Sequence, residues 1–225
     1  MNKSFKFVFF DINNIITNEK EQIKEGDELK NEIKEKFVFI NSIIDNFIDN
    51  HILVDVEKEE KFSVYQTSFI YQIENGIMQN FRFFLFRQII NDIFNIEVDA
   101  FFIVLNLEKN NNKELLEKLF SHIINNYKIK VYFLGIYKSK NNIITTKENI
   151  SDLFIDEEQP IDYKYKEINI NKEKDDINEK IDKFIEEAML DVYTIEKENN
   201  FEGSSKGTIG KDRNDNNSVS GCLII

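Results

Sequence analysis

The sequence predicts an α/β fold, a mostly parallel six-stranded sheet with one antiparallel hairpin and helices on both faces. Three observations carry that prediction. Asp99-Ala-Phe-Phe-Ile-Val-Leu-Asn-Leu107 is a short, almost unbroken apolar run, the pattern of a strand buried on both faces of a parallel sheet. After a stop at Asn110, Asn111 and Asn112, apolar residues at Leu115, Leu116, Leu119, Phe120, Ile123, Ile124 and Tyr127 line one helix face, and Asn111 or Asn112 is placed to cap its start. A second buried run from Ile129 to Gly135 completes strand, helix, strand, which is a βαβ crossover with its strands parallel.

The remaining elements follow in chain order. Phe5 to Phe10 reads as the first buried strand and ends at Asp11-Ile-Asn-Asn14. Glu and Lys dominate from Glu19 to Lys36, as on a solvated surface, but Leu29, Ile33, Phe37, Ile40, Ile44 and Phe47 continue one stripe at steps of three and four. A helix reaching about residue 50 is therefore expected, and the pattern leaves open whether residues 19–36 are its outer turns or a loop. Phe62 to Ile73 and Asn80 to Phe86 read as strands, and Asn75-Gly76 between them is a hairpin turn signal that pairs them antiparallel. Gln88 to Ile96 is a short connection into the central strand. Beyond Gly135 come a polar stretch, the single proline Pro160, and a sixth strand at Tyr163 to Ile170. The last helix carries Ile177, Ile181, Phe184, Ile185, Ala188, Met189 and Val192 on one face.

At 225 residues the chain fits one α/β domain, expected over residues 1–195, with a tail over 196–225. Hydrophobic residues make up 41% and aromatics 13%, with 21 Phe, so a large core is available and the Phe-rich runs are assigned to it. A net charge of −12 without clustered Lys and Arg argues against a nucleic-acid surface. The single Cys excludes an internal disulfide framework and suits a reducing compartment. The first residues do not read as a signal peptide and no window reads as a spanning helix, so the folded part is expected in the cytosol.

After Glu196 the composition shifts to Gly, Ser, Asn and charge, with little to bury, and disorder is expected. About 25 such residues reach roughly 25–30 Å. They lead to Cys222-Leu223-Ile224-Ile225, a C-a-a-X sequence in which the only thiol of the chain is positioned for a prenyl transferase. The aliphatic last residue favours geranylgeranyl over farnesyl, and Asn2 after Met1 excludes myristoylation. Lys206, Lys211 and Arg213 are offset by Glu202, Asp212 and Asp215, and no second Cys is present. Attachment to a membrane is then reversible or completed by a protein partner.

Isolated candidates carry less. Asp11 ends the first strand, where open α/β sheets place ligands, but no second carboxylate lies in Asp11-Ile-Asn-Asn14, so it reads as a strand-ending turn. His51 and His122 are too few and too isolated for a metal site or a catalytic triad, and His122, on the polar side of its helix, is expected at the surface.

Taken together, this order of elements resembles a small GTPase of the Ras superfamily, a P-loop NTPase-type fold, and is most similar to the Rab and Ras branches. Tyr71 to Phe86 is similar to the interswitch hairpin. Asp99 to Ile136 is similar to the fourth strand, third helix and fifth strand, with Gly135 in the place of the glycine before the guanine-reading motif. Lys36 to Asn50 looks like the first helix, with Lys36 in register with the phosphate-loop lysine. The motifs that hold nucleotide depart from the family pattern. A phosphate loop needs glycines so that backbone N–H groups can close on the phosphates, and a hydroxyl to ligate Mg²⁺. In the altered, lengthened region near residues 11–36 the only Gly before Lys36 is Gly26; Glu35 takes the last glycine's place and Phe37 that of the hydroxyl residue. The metal-holding Asp-x-x-Gly aligns with Arg87-Gln-Ile-Ile90, and the region of a water-positioning Gln is shortened. The base-reading motif aligns with Ile136-Tyr-Lys-Ser139, and the Ser-Ala-Lys loop matches only loosely to Asn169-Ile-Asn171.

The resemblance therefore implies a pseudo-GTPase with no catalytic residue, no metal ligand and no resident cofactor. It would be lipid-anchored through Cys222 on the cytosolic face of the plasma membrane or an endomembrane, and would act in membrane traffic or signalling. Implied partners are a prenyl transferase, a lipid-binding chaperone and effector proteins meeting the old switch face. Two alternatives remain at this stage: a working switch that binds GTP or GDP with Mg²⁺ and hydrolyses GTP, and an α/β domain of another family with a lipid tail.

Overall fold

The computed structural model describes residues 3–12, 38–52, 56–61, 64–73, 76–86, 97–109, 116, 117, 119, 130–152 and 163–205. Its centre is β1 (Ser4–Asp11), whose side chains alternate Phe5, Phe7, Phe9 on one face and Val8, Phe10 on the other. All five are buried, because the strand is paired on both sides and covered on both faces. One neighbour is β4 (Met78–Phe86), in parallel register from Ser4 opposite Asn80 to Phe10 opposite Phe86. The other is β5 (Ala100–Asn106), parallel from Phe7 opposite Ala100 to Asp11 opposite Val104.

Beyond β5 lie β6 (Lys130–Tyr137) and β7 (Tyr163–Asn169), both parallel. Beyond β4 the sheet turns antiparallel through β3 (Val64–Gln72), as the hairpin signal predicts; Gly76 supplies the positive φ of 76° at the turn. The expected mixed α/β sheet is present, but it has seven strands where six were expected, in the order β2-β3-β4-β1-β5-β6-β7. The addition is β2 (Glu57–Lys61), Glu-Lys-Glu-Glu-Lys, which has no apolar alternation to announce it. It is an edge strand whose ladder to β3 runs from Glu57 opposite Ser68 to Lys61 opposite Val64. Charge along an edge also opposes pairing with a further chain.

One face of the sheet is covered by α1 (Val38–His51) and by α3 (Lys174–Ser205). Ile40, Ile44, Phe47 and Ile48 of α1, and Ile181, Phe184, Ile185 and Ala188 of α3, are buried. They lie over an aromatic row that crosses five adjacent strands, Phe69, Phe83, Phe9, Phe102 and Tyr132, with successive centroids 4.7, 5.1, 4.6 and 4.9 Å apart. Phe47 packs on Phe83, and Phe184 stands edge-on to Phe102 and Tyr132. The opposite face is built from Val8, Phe10, Phe101, Ile103, Leu105, Val131 and Phe133, covered by Leu116, Leu119 and Ile150. Leu116, Glu117 and Leu119 are helical, in keeping with the crossover helix; the rest of that expected helix lies outside the described residues. Ile150 belongs to a short helix, α2 (Lys147–Asp152), that the sequence pattern did not mark.

The chain divides into two compact units after Val192. Helix α3 is recorded through Ser205, beyond the composition change at Glu196 where the tail was expected to begin. Its apolar stripe ends at Val192, but its interior holds no Pro to stop the backbone ladder. The charged run at 19–36, the connection at 88–96, Pro160 and residues 206–225 lie outside the described residues.

Phe102 is the test of this packing, because it touches rings on both neighbouring strands and on α3. Phe102→Ala is expected to lower the free energy of unfolding by about 3–5 kcal/mol. Equilibrium urea denaturation measures it, and a loss under about 1 kcal/mol, the scale of an ordinary surface change, would contradict the packing described.

Candidate functional site

The carboxyl end of the parallel strands is where α/β sheets usually hold ligands, and it is where the resemblance places the nucleotide. Among the described residues, hydrogen bonds at this end tie the segments after β5, β6 and β7 to one another. The Leu107 N–H donates to the Ile136 carbonyl at 2.8 Å, and the Leu107 carbonyl accepts from the Ile144 and Thr145 amides at 2.8 and 3.1 Å. The Ser139 N–H donates to Glu108 Oε1 at 2.8 Å. Asn106 Oδ1 accepts the Glu108 amide, and Asn171 Nδ2 donates to the Lys138 carbonyl at 3.2 Å.

Strand β6 keeps its ladder through the positions aligned with base recognition: Ile136 lies opposite Asn106 and Ile168, and Tyr137 opposite Asn169. Both side chains are buried. Gly135 is a close-approach glycine, since a Cβ there would come within 2.8 and 2.9 Å of the Leu107 methyl groups and 3.0 Å of the Tyr165 hydroxyl. That packing gives its small size a structural reason independent of any ligand. Asp11 is the last residue of β1 and is buried. No group of three His, Cys, Asp or Glu side chains suited to a metal is found among the described residues. Lys36, Arg87 to Ile90, His122 and Cys222 lie outside them.

A second polar centre lies on the helical side of the sheet, and sequence reasoning missed it. His51 was expected to be isolated from other site residues. Its side chain is only 30% exposed, and Nε2 lies 3.2 Å from Asp182 Oδ2 while Nδ1 lies 3.6 Å from Glu186 Oε1. The cause is its position at the last residue of α1, where the helix meets the Asp182–Glu186 face of α3. The partners are separated by 131 residues, so no local pattern could pair them. Glu186 also accepts a 2.7 Å hydrogen bond from the Tyr71 hydroxyl. The Asp182 side chain is 9% exposed, and its Oδ1 has no hydrogen-bond partner among the described residues. The two carboxylates sit against opposite ring nitrogens, so imidazole and carboxylates do not converge on one ion.

Beside this centre a cavity of about 520 Å³ opens between the end of β3 and α3, lined by Tyr71, Gln72, Ile73, Lys183, Glu186, Glu187, Met189 and Leu190. Because Tyr71 lies opposite Gln79 near the start of β4, which runs parallel to β1, the cavity sits at the end of the sheet away from the carboxyl ends of the parallel strands.

Burial first, and the hydrogen bond to Glu186 second, hold the Tyr71 phenol well above its ordinary value. The folded state therefore keeps a proton that the unfolded chain releases near pH 10, and that contribution to stability is full below pH 10 and lost as pH rises above it. The stability of the protein is expected to fall more steeply above pH 10 than that of Tyr71→Phe. Denaturation curves at pH 9 to 11 measure the difference, and parallel pH profiles would contradict it.

No protein-family model matches this sequence, and no curated protein is significantly similar to it, so the fold and its side chains carry the functional argument.

Proposed function

We propose that this chain is a degenerate small-GTPase-like protein, a pseudo-GTPase of Rab/Ras type, that binds partner proteins and is held at a membrane by a prenyl group on Cys222. A mixed sheet of parallel central strands with one hairpin is compatible with that fold. The observation that best supports a loss of nucleotide chemistry is the burial of Ile136 and Tyr137, with Ser139 tied to Glu108, at the positions aligned with guanine recognition. The family's motif reads the base with Asn and Asp side chains turned toward it, and here the aligned positions begin with buried Ile136 and Tyr137 and hold no carboxylate. The sequence adds Glu35 and Phe37 in place of the phosphate-loop glycine and hydroxyl, and a net charge of −12 that repels a triphosphate.

Titration of the purified full chain with a fluorescent guanine nucleotide, with and without Mg²⁺, tests the first part. No saturable binding is expected at micromolar protein, and Mg²⁺-dependent binding at micromolar affinity or tighter would restore the working switch. The anchor is tested separately: Cys222→Ser is expected to shift the protein from membranes to cytosol on fractionation, and an unchanged distribution removes the prenyl tether.

A further inference from the structure

We infer that the cavity between β3 and α3 is a docking site for a basic amphipathic segment of a partner protein, one that presents Arg or Lys beside bulky apolar residues. The inference concerns the end of the sheet away from the proposed nucleotide region, and it holds whether or not guanine nucleotides bind.

The floor and walls set the apolar half of that chemistry. Ile73, Met189 and Leu190 line the cavity. The Ile73 amide donates to the Ile77 carbonyl at 2.8 Å, and the hairpin register puts Ile77 directly across from Ile73, on the same face of the sheet. Ile77 is 39% exposed, so apolar surface continues from the cavity onto the hairpin. A cavity of about 520 Å³ takes one or two large side chains. The extension past its mouth gives a longer segment something to lie on, which favours a peptide over a free small molecule.

The charged half comes from α3. Of the lining charges, Lys183 is engaged by Glu179 at 2.5 Å, which leaves the carboxylates of Glu186 and Glu187 to set the local sign. Asp182 stands one turn before Glu186 with one oxygen unpartnered among the described residues, adding negative potential behind the rim. His51 is the nearby group that can offset it, since a protonated imidazole faces both Asp182 and Glu186. Among the described residues, the other groups facing Glu186 are the neutral Tyr71 hydroxyl and Lys183, which is paired with Glu179. A cation beside an apolar body therefore meets complementary potential, whereas an acidic segment meets repulsion.

The chain contains three methionines, Met1, Met78 and Met189, and of the two among the described residues Met189 lines the cavity. Methyl-¹³C methionine labelling of the full chain thus gives a reporter inside the cavity at Met189. The probe is a synthetic amphipathic helical peptide with leucines on one face and flanking arginines. Controls carry glutamate for arginine or serine for leucine, and a free arylalkyl ammonium tests a small-molecule occupant.

The leucine–arginine peptide is expected to shift the Met189 methyl saturably, with both control peptides at least about tenfold weaker. Glu186→Gln with Glu187→Gln keeps an acceptor for Tyr71 and is expected to weaken binding about tenfold with the methyl spectrum of the free protein preserved. A Met189 signal that does not move, control peptides that bind equally, an ammonium that binds as tightly as the peptide, or a double variant that binds undiminished would each overturn the proposal.

Discussion

The structure depends on one constraint, that β1 is walled in on every side. A strand paired along both edges and covered on both faces has no solvent-facing position, which is why Phe, Val and Phe succeed each other in Phe5 to Phe10 without a polar interruption except Lys6. Lys6 is tolerated near the strand's start, where its N–H donates to Asp99 Oδ2 at 2.8 Å and its carbonyl accepts the Asp99 amide. The rings of β1 then fix their neighbours. Phe9 stacks on Phe102 with planes 15° apart, and Phe102 on Tyr132 at the same angle. Offset stacks of this kind contribute on the order of 0.5–1.5 kcal/mol each beyond the area they bury, and they select one register, since a one-residue slip would send every ring to the other face.

That central wall divides the molecule into two ends with different chemistry. At the carboxyl end, loops following β5, β6 and β7 exchange backbone and side-chain hydrogen bonds with one another. The described loops spend their donors and acceptors internally. At the opposite end, Tyr71 reaches Glu186, and Tyr132 reaches Asp191 at 2.9 Å. Aromatic bodies thus serve the core while their hydroxyls pin α3. Asp191 also pairs with Lys164 of β7 at 2.5 Å, so α3 is tied to the sheet at both β3 and β7.

How much of this was legible follows from where the physics is local. Fully buried strands announce themselves as continuous apolar runs, so β1, β5 and β6 are readable, as is the β3–β4 hairpin, which rests on a glycine that takes a positive φ. Edge strand β2 was invisible because Glu57-Lys-Glu-Glu-Lys61 carries no burial signal; its conformation comes from its partner β3. The end of α3 was not legible for a related reason. An apolar stripe records which residues face a core, and a helix can outrun its stripe. The polar centre could not be read at all, because His51 and Asp182 meet only once both helices are laid on the same sheet face.

The acidity of the chain links the two ends. A carboxylate-rich surface raises the cost of holding phosphates and lowers that of holding a cation, and both effects come from the same net charge of −12. Salt weakens the two unequally. Screening acts within about 10 Å at 0.1 M ionic strength for exposed charges and much less for buried ones. Asp182, recessed beneath His51, is therefore shielded least, while Glu187 on the rim is shielded most. A partner chosen only by the rim would be lost at moderate salt, whereas one that also fills the space beside Ile73, Met189 and Leu190 keeps an apolar contribution that salt does not screen. The apolar floor and the carboxylate rim thus divide the work, the rim setting which charge is admitted and the floor setting how long it stays.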